Sequence, residues 1–297
     1  MNILIIGSGG QLGSDCIELL GPDHRIVPVD YPEINIAVAG SVAGICSEHT
    51  PDVIINCAAY TAVDKCETES EAAWAVNADG PRFIGEAALK AGARVIHVST
   101  DYVFDGKKPV PESYVEDDQV NPLSEYGRSK LAGEQNLLAV CPDATILRTA
   151  WLYSANGPNF LKTMLKLALS DPTRTFTIVD DQFGSLTWSY TLARQIEALL
   201  DSDLRGIMHA TADGYSSWYE AACYFLEQMD VEHAFVPCTT EQYPTPAHRP
   251  ANSILKNKVL DDQKRSVFTS WQDDVNTFVG AFKDQLIAEA RELLKKA

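Results

Sequence analysis

Tyr126 and Lys130, in the run SEYGRSKLAGE at 124–134, are the pair in this chain best suited to proton chemistry. Four residues apart on a helix, two side chains stand on one face, a turn from each other. A free phenol titrates at about 10, so it is a poor proton donor or acceptor near neutrality. A neighbouring ammonium favours the phenolate and lowers that value, which suits acid–base work on a carbonyl or an alcohol. The spacing also arises by chance on surface helices, so its weight comes from its surroundings. Upstream, the apolar run Arg94-Val-Ile-His-Val-Ser-Thr-Asp101 ends in two hydroxyls and an acid. A parallel strand presents its ligands at that end.

The elements that must position these groups begin at the N-terminus. Asn2–Ile6 is a short apolar, β-branched run of the kind buried in parallel sheets. Gly7-Ser-Gly-Gly-Gln-Leu-Gly13 follows and opens a helical pattern. Its glycines recur as Gly7-x-x-Gly10-x-x-Gly13 rather than as G-x-G-x-x-G, but the physics is shared. One glycine allows the turn, one lets backbone approach a pyrophosphate, and one lets helix pack on strand. A plain strand–helix turn has the same composition; the context of strand, glycines and helix favours a dinucleotide. The second strand, Arg25–Val29, leads to Asp30, roughly 20 residues beyond the glycines. An aspartate there accepts bonds from ribose hydroxyls and repels a 2′-phosphate, which leans toward NAD(H), unless it is simply an acidic loop residue. A third buried strand over 51–56 ends in the small segment Cys57-Ala-Ala-Tyr60, where a flat cofactor can lie close to the backbone.

The 297 residues carry a formal net charge of −17, which argues against nucleic acid or an anionic membrane as partner. Seven scattered cysteines without a C-x-x-C fit reduced thiols better than disulfides or zinc. No apolar run is long enough to span a bilayer, and the chain reads as cytoplasmic.

Alternation of strand and helix through Tyr153 predicts an α/β fold: a Rossmann-like doubly wound parallel sheet with a smaller mixed C-terminal substrate lobe. Residues 1–153 form the expected NAD(P)-binding domain, with parts of 179–210 returning to it, and 154–297 form mainly the substrate lobe. Thr145–Tyr153 reads as one strand, and 69–92 as one long helix closed by Gly92. A final amphipathic helix starts near Ser270.

Taken together, GSGGQLG (7–13), NCAAYTAVDKCE (56–67), STDYVFDG (99–106), YGRSKLAGE (126–134), LRTAWLY (147–153), NF (159–160), VDDQFG (179–184) and YPTPAHRPANS (243–253) span nearly the whole chain. In this order they resemble the dTDP-4-dehydrorhamnose reductase family of extended short-chain dehydrogenases/reductases. STDYVFDG followed by YGRSKLAGE is the specific part; the glycine loop alone is not. The resemblance implies NAD(P)H-dependent reduction of the C4 ketone of dTDP-4-dehydro-β-L-rhamnose to dTDP-β-L-rhamnose, with NADPH or NADH as cofactor. It implies that Tyr126 protonates the C4 oxygen, that Lys130 holds the nicotinamide ribose and lowers the Tyr126 pKa, and that Thr100 bonds the reacting oxygen. By the same comparison Gly7, Gly10, Gln11 and Leu12 meet the pyrophosphate, and Asn35, Ile36, Ala58, Ala59 and Tyr60 line the two halves of the cofactor. Asp101, Trp151, Asn159 and Arg249 are implied contacts of the sugar nucleotide, Arg249 by a bidentate grip on a diphosphate. Trp151 as core packing and Arg249 as a surface ion pair are the plainer alternatives.

Three positions depart from the family pattern. Asn35 stands where an aspartate is usual, Leu186 interrupts a GxPT loop, and Asp15 occupies one position of a magnesium site through which some members dimerise. No metal is assigned, Mg2+ stays open, and so does a homodimer. Two other readings compete: a reductase or epimerase of another nucleotide sugar, and a non-catalytic regulatory subunit resembling the methionine adenosyltransferase beta subunit.

Overall fold

Five apolar runs become neighbouring strands of one sheet: β1 (Asn2–Ile6), β2 (Arg25–Val29), β3 (Val53–Asn56), β4 (Arg94–Thr100) and β5 (Thr145–Thr149). With the strand Gly206–His209 they form a six-stranded sheet in the order Gly206–His209, β5, β4, β3, β1, β2. Every pairing is parallel. The computed structural model describes residues 1–296. Because both faces are covered, β3 and β5 are buried throughout, which explains runs of apolar residues in place of alternation.

The two-residue side-chain period still sorts the core. Ile3, Ile5, Ile55 and Leu147 face the helices Gln11–Leu20 and Ser189–Leu200, whereas Leu4, Ile6, Ile54 and Ile146 face Ala39–His49, Gly80–Ala91 and Glu125–Val140. From β1 the chain goes to one side for β2 and to the other for β3, so the strand order reverses between β1 and β3. In open sheets that reversal leaves a crevice beyond the carboxyl ends of the strands.

Two expected elements are subdivided. The stretch at 69–92 contains a helix at Ser70–Trp74, a π-helical turn at Ala75–Asp79 and a helix at Gly80–Ala91, stopped by Gly92 at φ +70°. The widened turn meets the Tyr126 helix so closely that a Cβ at Gly133 would lie 2.0 Å from the Asn77 carbonyl oxygen. The strand expected across Thr145–Tyr153 is two: β5 ends at Thr149, Trp151 turns the chain with φ +49°, and Leu152–Tyr153 pairs with Thr187–Trp188 instead. A local run of β-formers cannot reveal such an exit, because the new pairing partner is distant in sequence.

A separate core lies beyond the sheet, built by the helices Phe160–Ser170, Trp218–Gln228 and Trp271–Lys295 and by the strand pair Thr175–Val179 with Ala234–Cys238. Leu186 is 1% exposed within this core, so an apolar residue there serves packing.

Behind the carboxyl end of β4, Arg148 and Glu134 form an ion pair with side chains 3% and 1% exposed. Arg148 Nη2 and Nε donate to the carboxylate at 2.7 and 3.0 Å, and Ser99 Oγ donates to the same group at 2.5 Å. The pair anchors the Tyr126 helix to β5. Glu134→Leu strands a buried guanidinium and should cost about 3–5 kcal/mol in chemical denaturation, whereas Glu134→Leu with Arg148→Met should recover most of that loss. Equal losses in the single and double variants would show that the pair is not the cause.

Candidate active site

The crevice at the strand reversal is a cavity of about 800 Å3 walled by the residues after β1, β3, β4 and β5 and by the Tyr126 helix. At one end Gly7 takes φ +82°, and a Cβ there would lie 2.7 Å from the Ala58 nitrogen. A Cβ at Gly13 would lie 2.2 Å from the Gly7 carbonyl oxygen, so helix Gln11–Leu20 sits directly on the loop. That helix has no side-chain cap at Gly10, and its open N-terminus borders the cavity through Gln11 and Leu12. Uncapped N–H groups at a helix start suit an anion, and the tight glycine turn suits close approach of a pyrophosphate. The residues present therefore fit a dinucleotide.

Asp30 lines this end too, but its carboxylate works within the protein. Oδ2 accepts from Gly9 N at 2.8 Å and Oδ1 from Tyr31 N at 2.8 Å. Asn35 and Ile36 are in the wall, and Asn35 Oδ1 closes a local turn by accepting from Ala37 N at 3.1 Å. This turn needs only an acceptor, which an asparagine provides as well as an aspartate.

Ala58, Ala59 and Tyr60 form the wall after β3 and are held from behind. Asn56 Oδ1 accepts from Ala58 N at 3.1 Å, and the Asn77 amide brackets Tyr60, accepting from its N at 2.8 Å and donating to its O at 3.1 Å. Asn77 also donates to Ser129 Oγ at 3.1 Å, so the π-helical turn joins the Tyr60 loop to the Tyr126 helix.

At the other end stand Thr100, Asp101, Tyr126 and Lys130. The helix Glu125–Val140 begins at Ser124, whose Oγ accepts from Gly127 N at 3.1 Å. A Cβ at Gly127 would lie 2.3 Å from the Tyr102 carbonyl oxygen, so this turn is pressed against the segment after β4. Tyr126 consequently meets Tyr102 edge-on, with centroids 5.3 Å apart, and the Thr100 hydroxyl lies beside its phenol.

The electrostatics differ from the simple expectation that Lys130 lowers the phenol's pKa. Burial pushes Tyr126 up, the Asp101 charge adds to that, and the Thr100 hydroxyl opposes it. Lys130 is directed to the sheet, where Nζ donates to the Val98 carbonyl at 2.7 Å. Burial lowers it to about 8, with Glu134 opposing. Asp101 is raised to about 6 by burial. Its Oδ1 accepts from Thr100 Oγ1 at 2.9 Å, and its Oδ2 is buried without a hydrogen-bond partner.

The remaining expected contacts separate. Trp151 lines the cavity and stacks on Trp218 with centroids 3.4 Å apart and planes 8° from parallel. Asn159 is not in the wall: it caps helix Phe160–Ser170 by accepting from Lys162 N and donates to Ser154 O at 2.7 Å. Arg249 is outside the wall as well, paired with Asp64 at 2.9 Å. Asp15 is enclosed by the Ser154, Ser189 and Asn156 side chains. Sequence reading missed Trp218, Asn56 and Asn77. Trp218 and Asn77 reach the site from helices whose own periodicity carries no sign of it.

The chain matches the family described as RmlD substrate binding domain over residues 1–283. A dTDP-4-dehydrorhamnose reductase of Sinorhizobium fredii is 39% identical over 95% of this chain and 97% of its own length. The crystal structure of a dTDP-4-dehydrorhamnose reductase from Clostridium acetobutylicum superposes with a TM-score of 0.92 at 38% identity, covering 95% of this chain and all (100%) of that one. Another from Bacillus anthracis, solved in complex with NADP, gives 0.90 at 35% identity over 93% and 98% of the two chains. With its cavity at the strand reversal and Tyr126 and Lys130 in the wall, the chain belongs to the dTDP-4-dehydrorhamnose reductase family.

Proposed function

We propose that this protein is the NAD(P)H-dependent reductase that converts dTDP-4-dehydro-β-L-rhamnose to dTDP-β-L-rhamnose. One observation carries the reading: a single cavity joins a dinucleotide-type glycine loop to Thr100, Tyr126 and Lys130, in a chain similar to a named reductase over 95% of its length. A reduced nicotinamide, when bound, supplies the hydride. The chain's own residues do the rest. Gly7, Gly10, Gln11 and Leu12 would hold the pyrophosphate through backbone and helix start. Asp30, Asn35 and Ile36 would border the adenosine half, with Ala58, Ala59 and Tyr60 beside the other half. Lys130 would hold the ribose next to the ring.

Tyr126 donates the proton. In the reductive direction the phenol must arrive protonated, and burial, which disfavours the phenolate, keeps it so. Thr100 positions the reacting oxygen between its hydroxyl and the phenol. Water exclusion strengthens each of these contacts. Trp151 would pack on the sugar nucleotide. Asn159 and Arg249 support that end indirectly, Arg249 unless its ion pair with Asp64 opens. Residues 1–153 with parts of 179–210 would serve the cofactor, and 154–297 mainly the sugar nucleotide. The reading extends to a cytoplasmic enzyme acting apart from nucleic acid and membrane, supported by the net charge of −17. No described helix is long and apolar enough to cross a membrane.

Oxidation of NADPH or NADH followed at 340 nm, with dTDP-4-dehydro-6-deoxyglucose and a 3,5-epimerase, tests the reading. Epimerase-dependent oxidation yielding dTDP-rhamnose is the expected result; oxidation without the epimerase points to another sugar. Tyr126→Phe should lower kcat by roughly 100-fold or more while leaving the cofactor Kd nearly unchanged, and near-normal turnover would remove the phenol from the mechanism. Asp30→Ala should shift preference toward NADPH by removing a negative charge at the ribose end. Because Gly9 N and Tyr31 N lose their acceptor, NADH affinity should fall in the same variant. An unchanged NADH/NADPH ratio in kcat/KM would place Asp30 outside the cofactor site.

A further inference from the structure

Asp101 is a buried acid, 4% exposed, to which the steps above give no task. It ends up behind Thr100. The Thr100 hydroxyl donates to Asp101 Oδ1 at 2.9 Å and accepts from Tyr102 N at 3.2 Å. The Ser253 hydroxyl, from the short strand Asn252–Ser253, lies close enough to the carboxyl to favour its charged form. Oδ2 is closed to solvent and has no partner. On its other side, the Thr100 hydroxyl adjoins the Tyr126 phenol. A carboxyl, a hydroxyl and a phenol therefore follow one another at this end of the cavity.

We infer that Asp101, Thr100 and Tyr126 form a proton relay, in which the Asp101 carboxylic acid resupplies through Thr100 the proton that Tyr126 gives to the substrate oxygen. The inference rests on the reductase reading. Hydride from the reduced nicotinamide makes the new C–H bond, and the Tyr126 O–H bond breaks as the proton goes to the carbonyl oxygen. The resulting phenolate takes the Thr100 hydroxyl proton while the Thr100 oxygen takes the Asp101 proton. The turn ends with an alcohol, an oxidised nicotinamide, a neutral Tyr126 and an Asp101 carboxylate, which is reprotonated from solvent after product leaves. Hydroxyl rotation at Thr100 is the only rearrangement required.

The groups facing Asp101 fit this use. Tyr126 and Tyr102 are both pushed up and stay neutral, the Thr100 hydroxyl donates to the carboxyl and Ser253 favours its charged form, and burial outweighs both to hold Asp101 at about 6. Arg249 and Asp64 act on Tyr102 in opposite directions and are paired with each other. A carboxyl raised to about 6 carries its proton below that pH and loses it above, so resupply weakens as pH rises through this range.

The test is rapid mixing of the full chain, preloaded with NADPH, with dTDP-4-dehydro-β-L-rhamnose across pH 5 to about 8, spanning the Asp101 transition. Asp101→Asn keeps an acceptor for Thr100 but holds no transferable proton. Its first turnover should run at nearly the wild-type rate, with later turnovers slower by roughly 100-fold and without the wild-type decline through about 6. Ser253→Ala removes a hydroxyl that favours the carboxylate, so it should move that decline to higher pH while keeping the acid-side rate. A first turnover lost together with the later ones, with raised KM, would make Asp101 a direct sugar contact and overturn the relay. So would a wild-type profile in either variant; if Asp101→Asn fails to fold, Ser253→Ala decides. Wild-type protein that oxidises no NADPH with this sugar overturns the reductase reading instead.

Discussion

Removal of water from the carboxyl end of β4 governs the rest of the site. Burial disfavours charge, so it acts in opposite directions on acids and bases. Lys130 comes down to about 8 while Asp101 goes up to about 6, and Tyr126 rises with it. Lys130 and Asp101 thereby approach neutrality within one small volume, each able to pass a proton at modest cost, while the Tyr126 phenol is held in its neutral form. In water the same three would sit firmly as ammonium, carboxylate and phenol. The intervening backbone is what makes the burial tolerable: Lys130 is satisfied by the Val98 carbonyl and Asp101 by the Thr100 hydroxyl.

This concentration of buried polar groups requires a rigid support, and the parallel sheet provides it. Strands β4 and β5 end level, Thr100 opposite Thr149, and β3 stops lower, Asn56 opposite His97, yet Cys57, Thr100 and Ala150 all reach one cavity. The Tyr126 helix is then fixed to that edge at three heights. Gly127 presses on Tyr102, Gly133 admits the Asn77 carbonyl, and Glu134 pairs with Arg148 from β5. A Cβ at either glycine would overlap backbone, which side-chain rotation cannot relieve. Helix position, and with it the Tyr126 and Lys130 side chains, is therefore set by close backbone approach more than by the amphipathic pattern.

Much of this was legible in the sequence because its signals are local. A strand, a glycine turn and a helix are adjacent in the chain, so Gly7, Gly10 and Gly13 announce their arrangement directly. Tyr126 and Lys130 share one helix, and Thr100 ends one strand. The unread parts depend on contacts between distant segments. Trp151 leaves β5 because Leu152–Tyr153 finds Thr187–Trp188, and its indole then meets Trp218. The Lys130 contact with the Val98 carbonyl is hidden for the same reason: helical spacing gives the face of a side chain, not the carbonyl it finds there. Asn159 and Arg249 are implied by the family resemblance, which carries no account of the helix cap and the ion pair they form here.

The acidic character of the chain sharpens what the glycine loop must do. A protein of net charge −17 that takes an anionic dinucleotide and an anionic sugar nucleotide cannot rely on a favourable overall field. Nor does the cavity compensate with cations. Among the described residues in its wall, Lys130 is the one basic side chain, and burial holds it near the edge of neutrality. Attraction for phosphate must then come from oriented neutral dipoles, the N–H groups of the uncapped helix start at Gln11 and of the loop before it. Asp30 fits this scheme: by accepting from Gly9 N and Tyr31 N it fixes the loop with its own charge partly neutralised. Glycine and helix geometry thus carry the anion recognition that composition alone argues against.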